Sequence, residues 1–287
     1  METNNFLDQA KISDKELSRA KFDEQGVLYT YDNKVLIKCP DKLEHINIHP
    51  KTTTIANYAF VGCRIKEIIL PKALKIIGHH AFHGSSIESL DIPDNVLYIG
   101  HNAFRWCNKL TEISLPAELP ELQESTFQKC KCLETIDIPQ SITTIGGGCF
   151  SGCFKIDINI KGKDFKVFKG CLYQISRKSL IACWSLERNI QLANGLQRIE
   201  NNAFAACKHF DSIKMPNTVI YIGNNLFGDY GVSDIYIPKS VEIIEPFAFD
   251  HNVKNIFVQK GETDKVKAML PSTYHKCIQE RSKFLFV

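Results

Sequence analysis

The phenylalanines Phe60, Phe82, Phe104, Phe127, Phe150, Phe204, Phe227 and Phe249 stand 22, 22, 23, 23, 54, 23 and 22 residues apart. The same wording surrounds them: Ile77-Gly78-His79-His80-Ala81-Phe82, Ile99-Gly100-His101-Asn102-Ala103-Phe104, Ile222-Gly223-Asn224-Asn225-Leu226-Phe227. About ten residues later a second phrase recurs, as in Leu90-Asp91-Ile92-Pro93, Ile113-Ser114-Leu115-Pro116, Ile136-Asp137-Ile138-Pro139 and Ile235-Tyr236-Ile237-Pro238. A coil this short cannot bury its own apolar face, but stacked coils can. Length alone allows two domains in 287 residues, yet a repeat array is one body whatever its length.

The unit follows from its residue types. Alternate side chains of Ile-x-Ile point into the coil, which marks a short strand. The Pro after it has no N–H to continue a ladder and ends the strand. The Ile-Gly phrase is expected to open a turn, and the Phe of Ala-Phe to fill the interior.

The 54-residue gap hides a longer regularity. Gly170-Cys171-Leu172-Tyr173 follows Gly26-Val27-Leu28-Tyr29 at an offset of 144, and Leu180-Ile181-Ala182-Cys183 follows Leu36-Ile37-Lys38-Cys39 at the same offset. The chain therefore reads as two related modules, each opening with a β-hairpin near 26–39 and 170–183, with Asp32-Asn33-Lys34 as the first hairpin's turn. The expected divisions are a polar leader over 1–21, modules over 22–161 and 162–260, and a cap over 261–287. Ser13-Asp14-Lys15-Glu16 reads as a capping box in the leader. In the cap, Thr263 to Leu270 has a helical pattern, with Thr263 as N-cap and Pro271 beyond its end.

The period lies in the leucine-rich-repeat range. The wording, roughly Ile-Gly-x-x-Ala-Phe-x-x-Cys and then Leu-x-x-Ile-x-Ile-Pro, resembles the BspA-like leucine-rich-repeat family over about residues 22–270, although the Asn ladder of conventional repeats is missing from it. The resulting expectation is a β-rich α/β solenoid: a right-handed curved array of short parallel strands with two hairpin inserts and a C-terminal cap. The resemblance also implies a bacterial or protist surface protein that binds host or neighbouring-cell components.

Composition narrows the functions. A formal charge of +3 with scattered Lys and Arg offers no basic stripe for a phosphate backbone, so nucleic acid is not an expected partner. No apolar run reaches the 18–20 residues of a membrane span. Met1-Glu2-Thr3-Asn4-Asn5 shows no basic region leading into an apolar stretch, so no secretory signal is legible; the chain either stays inside the cell or had such a signal removed.

Five of the eleven cysteines, Cys63, Cys107, Cys130, Cys153 and Cys207, stand three residues after a repeat Phe. A residue that recurs with the coil is a packing choice, and a thiol packs as a small apolar group. Cys130 with Cys132 and Cys149 with Cys153 have metal-like spacing, but two of the four are repeat positions. His79, His80, His83 and His101 could also suggest zinc. Yet His79 and His101 share their position with Asn57, Asn201 and Asn224, which reads as turn surface. Glu245 replaces the repeat Gly singly. No set of carboxylates, nucleophiles or glycine-rich loops forms a catalytic arrangement, and neither metal nor cofactor is expected.

The strand face remains as the place for function. Its outward residues are Glu67, Ile69, Ser89, Asp91, Glu112, Ser114, Thr135, Asp137, Asp157, Asn159, Ser212, Lys214, Asp234, Tyr236, Asn255 and Phe257. The sequence predicts a monomeric, non-catalytic protein-binding module anchored by Tyr236 and Phe257 on the second module, since exposed aromatics dominate protein interfaces. An intracellular interaction scaffold is the alternative, and a glycan-binding or glycan-acting protein a more distant one.

Overall fold

Both repeat phrases become strands, so a coil carries two short strands and contributes to two rows. The computed structural model describes residues 10–207, 210–228, 232–249 and 253–281. The chain divides into two compact units, Met1–Lys163 and Asp164–Val287. Each is a β-solenoid whose successive coils pair their strands in parallel.

The second strand row was not expected, because the Ile-Gly phrase reads as a turn. In fact Thr54–Ile55, Ile76–Ile77 and Tyr98–Ile99 pair in sequence. β-branched residues favour this extended backbone. The glycine then continues the ladder: Gly78 N–H donates to the Ile55 carbonyl and Gly100 N–H to that of Ile77, both at 2.9 Å. Close approach is what demands glycine here, since a Cβ on Gly78 would lie 2.7 Å from the Asn57 backbone nitrogen. The left-handed backbone of the turn falls two residues later, at Tyr58, His80, Asn102, Ser125, Asn202 and Asn225, with φ between 47° and 62°.

In the first unit the Ile-x-Ile row comprises His45–Asn47 paired with Glu67–Ile69, and Ser89–Asp91, Glu112–Ser114, Thr135–Ile138 and Asp157–Ile160 paired in that order. The register is even: Ile113 lies beside Leu90, and Ile136 beside Ile158. In the second unit Asn189–Gln191 pairs with Ser212–Lys214, and Asp234–Tyr236 with Asn255–Gln259.

Each unit opens with three antiparallel strands, one more than the expected hairpin. They are Lys21–Phe22, Leu28–Tyr29 and Val35–Lys38 in the first, and Phe165–Phe168, Cys171–Gln174 and Ser179–Cys183 in the second. The third strand then pairs in parallel with the first short strand of the coils, Thr54–Ile55 or Arg198–Ile199. The meander thus supplies the layer on which the first coil stacks. The Asp32-Asn33-Lys34 turn is present, with Asn33 at φ 59°.

The interior of the first unit is a column of rings. Phe60, Phe82, Phe104, Phe127 and Phe150 are fully buried, and successive rings stack near-parallel at 4.7, 5.2, 5.5 and 5.7 Å between centroids. Phe204 and Phe227 stack at 5.9 Å in the second unit, whereas Phe249 meets Tyr274 of the cap edge-on at 6.2 Å. All five repeat cysteines are buried thiols. Each also satisfies a carbonyl one coil back: Cys107, Cys130 and Cys153 donate to Phe82, Phe104 and Phe127, each at 3.0 Å. A hydroxyl-free apolar residue could fill this space but could not make that bond, which explains why the position favours Cys.

At the ends, the Ser13–Glu16 capping box starts the helix Asp14–Leu17; residues 1–9 of the leader lie outside the described residues. The C-terminal helix is Thr263–Met269, but its N-cap is Glu262, not Thr263. The Thr263 hydroxyl instead donates to Glu280 Oε1 at 2.8 Å. That carboxylate belongs to the strand Ile278–Arg281, which pairs in parallel with Asn255–Gln259 and extends the Ile-x-Ile row. No Ile-x-Ile phrase announces this strand. Val266 and Leu270 close the core of the unit from the helix side. No helix among the described residues is long and apolar enough to cross a membrane.

Candidate functional site

Pairing in even register aligns the outward side chains of the first unit into two columns. Ser89, Glu112, Thr135 and Asp157 form one, and Asp91, Ser114, Asp137 and Asn159 the other, with Glu67 and Ile69 on the neighbouring strand pair. All ten are exposed. The strand His45–Asn47 adds a rung that the sequence reading missed, because His49 separates its Ile46-Asn47-Ile48 phrase from Pro50 and blurs the motif.

The side chains of adjacent rungs interact along the columns. Ser114 Oγ donates to Asp91 Oδ1 at 2.9 Å, and Asn159 Nδ2 to Asp137 Oδ1 at 3.1 Å. His45 Nδ1 lies 3.1 Å from Glu67 Oε2, and Lys161 Nζ 3.1 Å from Asp137 Oδ2. The amide and ammonium donors hold the Asp137 carboxyl below its ordinary range, the Lys161 bond contributing most. Two shallow grooves run over this face beside the turns that follow the strands. One, of about 690 Å³, is lined by Glu67, Ile69, Ser89, Asp91, Asp94 and Asn95. The other, of about 530 Å³, is lined by Glu112, Ser114, Thr135, Asp137, Gln140 and Lys161. Ile69 stands among these polar groups with 71% of its surface in solvent.

In the second unit Asn189 and Gln191 are exposed in the same way, but the positions that follow them are less open. Ser212, Lys214, Asp234, Tyr236 and Asn255 are half-buried. Phe257 is 1% exposed, and this corrects the expectation of a solvent-facing anchor. Its parity is outward, as expected, and its ring stacks on Tyr236 at 4.8 Å. The strand Ile278–Arg281 lies beside it, and the Arg281 guanidinium covers the ring at 3.7 Å while donating to the Tyr236 hydroxyl at 3.2 Å. The cap therefore uses the aromatic pair internally.

In place of the conventional Asn ladder, a mixed ladder of Asn and His side chains joins successive coils. Asn57 Oδ1 accepts the His79 backbone N–H at 2.7 Å, His79 Nδ1 accepts that of His101 at 3.0 Å, and Asn201 Oδ1 accepts that of Asn224 at 3.0 Å. An imidazole Nδ1 thus does the work of an amide oxygen, which residue names alone conceal. His79 and His101 lie on the turns, as expected, half-buried and stacked at 5.1 Å. Burial, with the neighbouring His101 and His80, pulls the His79 pKa down to about 4. His80 and His83 lie on the same turn as His79, where His80 stacks on Tyr58 at 4.9 Å. Among the described residues no group of three or more His, Cys, Asp or Glu side chains is placed to hold a metal ion.

Strand rows, Phe column, thiol bonds and side-chain ladder together define the repeat. The sequence matches the family described as BspA type leucine rich repeat region, in six copies over residues 31–157 and 173–278. The chain belongs to that family. No curated protein matches it in sequence. Solved structures share the fold, among them the following two. A leucine-rich repeat protein from Eubacterium ventriosum aligns with a TM-score of 0.53 at 17% identity, over 76% of this chain and 55% of its own. The chain thus spans little more than half the length of that relative. The pneumococcal vaccine antigen PcpA aligns with a TM-score of 0.54 at 16% identity, over 92% of this chain and 82% of its own. This BspA-type chain is a leucine-rich-repeat module.

Proposed function

We propose that the chain is a non-catalytic recognition module that binds a protein partner through the strand face of its first unit, displayed at a cell surface. The observation that carries this reading is the two in-register columns, exposed over their whole length, which with the neighbouring Glu67 present five carboxylates at Glu67, Asp91, Glu112, Asp137 and Asp157. Such a face complements a basic segment, because opposed potentials steer encounter and set register. Ile69 provides an apolar contact inside the polar surround, the arrangement in which a contact is shielded from water. Ser114 and Asn159 fix the carboxylates they bond, so little side-chain freedom is lost on binding. Display at a surface rests on the family and on the likeness to the PcpA antigen. Lys214, Asp234, Tyr236 and Asn255 form a secondary, half-covered patch on the other unit.

A random peptide library panned on the immobilised chain tests the reading. The enriched peptides should carry Lys or Arg around an apolar residue. They should lose binding to an Asp91→Lys/Glu112→Lys/Asp137→Lys variant whose melting temperature is unchanged. Enrichment without cationic bias, or equal binding to the variant, would overturn it.

A further inference from the structure

The opening meander of the second unit contains a cysteine that the repeat does not explain. At the 144-residue offset Cys183 and Cys207 match Cys39 and Cys63, but Cys171 stands where the first module has Val27. Cys171 and Cys183 are directly opposed on the antiparallel strands Cys171–Gln174 and Ser179–Cys183. The ladder bond lies one step outside them, from Trp184 N–H to the Gly170 carbonyl at 2.7 Å, while Cys183 N–H points away to Ala203 at 2.7 Å. They are therefore a non-hydrogen-bonded pair. Such pairs hold their Cα atoms about 4.5 Å apart, within the roughly 4.4–6.8 Å that a disulfide spans. The two sulfurs lie 2.6 Å apart, and both side chains are buried.

We propose that Cys171 and Cys183 are a disulfide site, closed across the meander by exchange with a small-molecule disulfide of the glutathione type, while the repeat cysteines stay thiols. The Cys171 thiolate attacks one sulfur of oxidised glutathione and displaces a glutathione thiolate. The Cys183 thiolate then attacks Cys171 Sγ in the mixed disulfide and displaces the second. The protein pair is oxidised by two electrons, the glutathione disulfide is reduced to two thiols, and the protons lost by the cysteines pass to the departing thiolates.

The rival pairing is less favourable. Cys207 Sγ donates to the Cys183 carbonyl at 3.1 Å, the same kind of bond that Cys63 makes to Cys39 at 3.6 Å. A Cys183–Cys207 bridge would break that bond, whereas a Cys171–Cys183 bridge leaves it intact. The bond between the two thiols, then burial, pushes the Cys171 thiol up, and burial raises Cys183. The site is thus a structural staple and not an exchange catalyst, which would need a depressed thiol pKa. Oxidation accordingly belongs to the folding chain or to transient opening of the meander.

The full chain, refolded through a series of glutathione redox buffers and then alkylated under denaturant for peptide mapping, tests this. The expected product is a 171–183 cross-link lacking two hydrogens, with the other nine of the eleven cysteines alkylated. Oxidation should raise the melting temperature of the wild type but not of Cys171→Val, which copies the first module. Eleven alkylated cysteines, a different first pair, a stable glutathione adduct or an equal gain in Cys171→Val would each overturn the proposal. Mapping on the wild type decides the pairing even where the variant fails to fold.

Discussion

The backbone N–H of His101 donates to Nδ1 of His79, one coil earlier, at 3.0 Å. The bond needs a lone pair on Nδ1, so His79 must be neutral there, and burial holds its pKa down to about 4 from 6.5. The folded pKa lies below the unfolded one, so between these values the unfolded chain binds the additional proton. The stability contributed by neutral His79 is complete above about pH 6.5 and is lost as pH falls toward 4. Asn57 and Asn201 make the equivalent bond without titrating. The melting temperature of His79→Asn should therefore fall less than that of the wild type between pH 7 and about 4.5. Parallel curves would remove the ladder role.

The Phe column sets a second expectation. Phe127 stacks on Phe104 at 5.5 Å and on Phe150 at 5.7 Å. Phe127→Ala should cost about 3–5 kcal/mol, from lost transfer energy plus the cavity. Because coils rest on their neighbours, the loss should be local. Hydrogen exchange should rise over residues 104–150 while Asp164–Val287 keeps its protection; uniform loss would mean that the chain unfolds as one cooperative body.

Phe257 yields a prediction opposite in kind to the one its sequence position suggests. As a buried residue under Arg281, it should behave as core: Phe257→Ala should lower stability by about 3–5 kcal/mol. Arg281→Ala should cost only about 0.5–2 kcal/mol, the range of a cation–π contact. Denaturant titration separates the two, and a neutral Phe257→Ala would contradict the packing described.

What was legible in the sequence is what recurs. The period located the coils, alternation located the buried and outward residues of Ile-x-Ile, and the shared place of the cysteines located thiols that the structure buries. What escaped depends on contacts between distant segments. Nothing in Ile278-Gln279-Glu280-Arg281 marks it as the strand that would cover Phe257. The ladder escaped because imidazole and amide differ in name but offer the same acceptor. The strand row at Ile-Gly escaped because glycine reads locally as a turn, although here it answers the approach of the preceding coil at Asn57. For the candidate site, Glu67, Ile69, Asp91, Glu112, Ser114, Asp137 and Asn159 were visible by parity, and the structure adds their exposure, their in-register columns and His45.

The central claim is that recognition belongs to the first unit's strand face. The most direct measurement is an amide chemical-shift map of the isotope-labelled chain titrated with one cationic peptide enriched as above. Shifts should cluster at residues 67–69, 89–91, 112–114, 135–138 and 157–160, and should weaken as salt screens the carboxylates. Shifts centred on the short strands at 54–55, 76–77 and 98–99, or spread evenly over both units, would contradict the account.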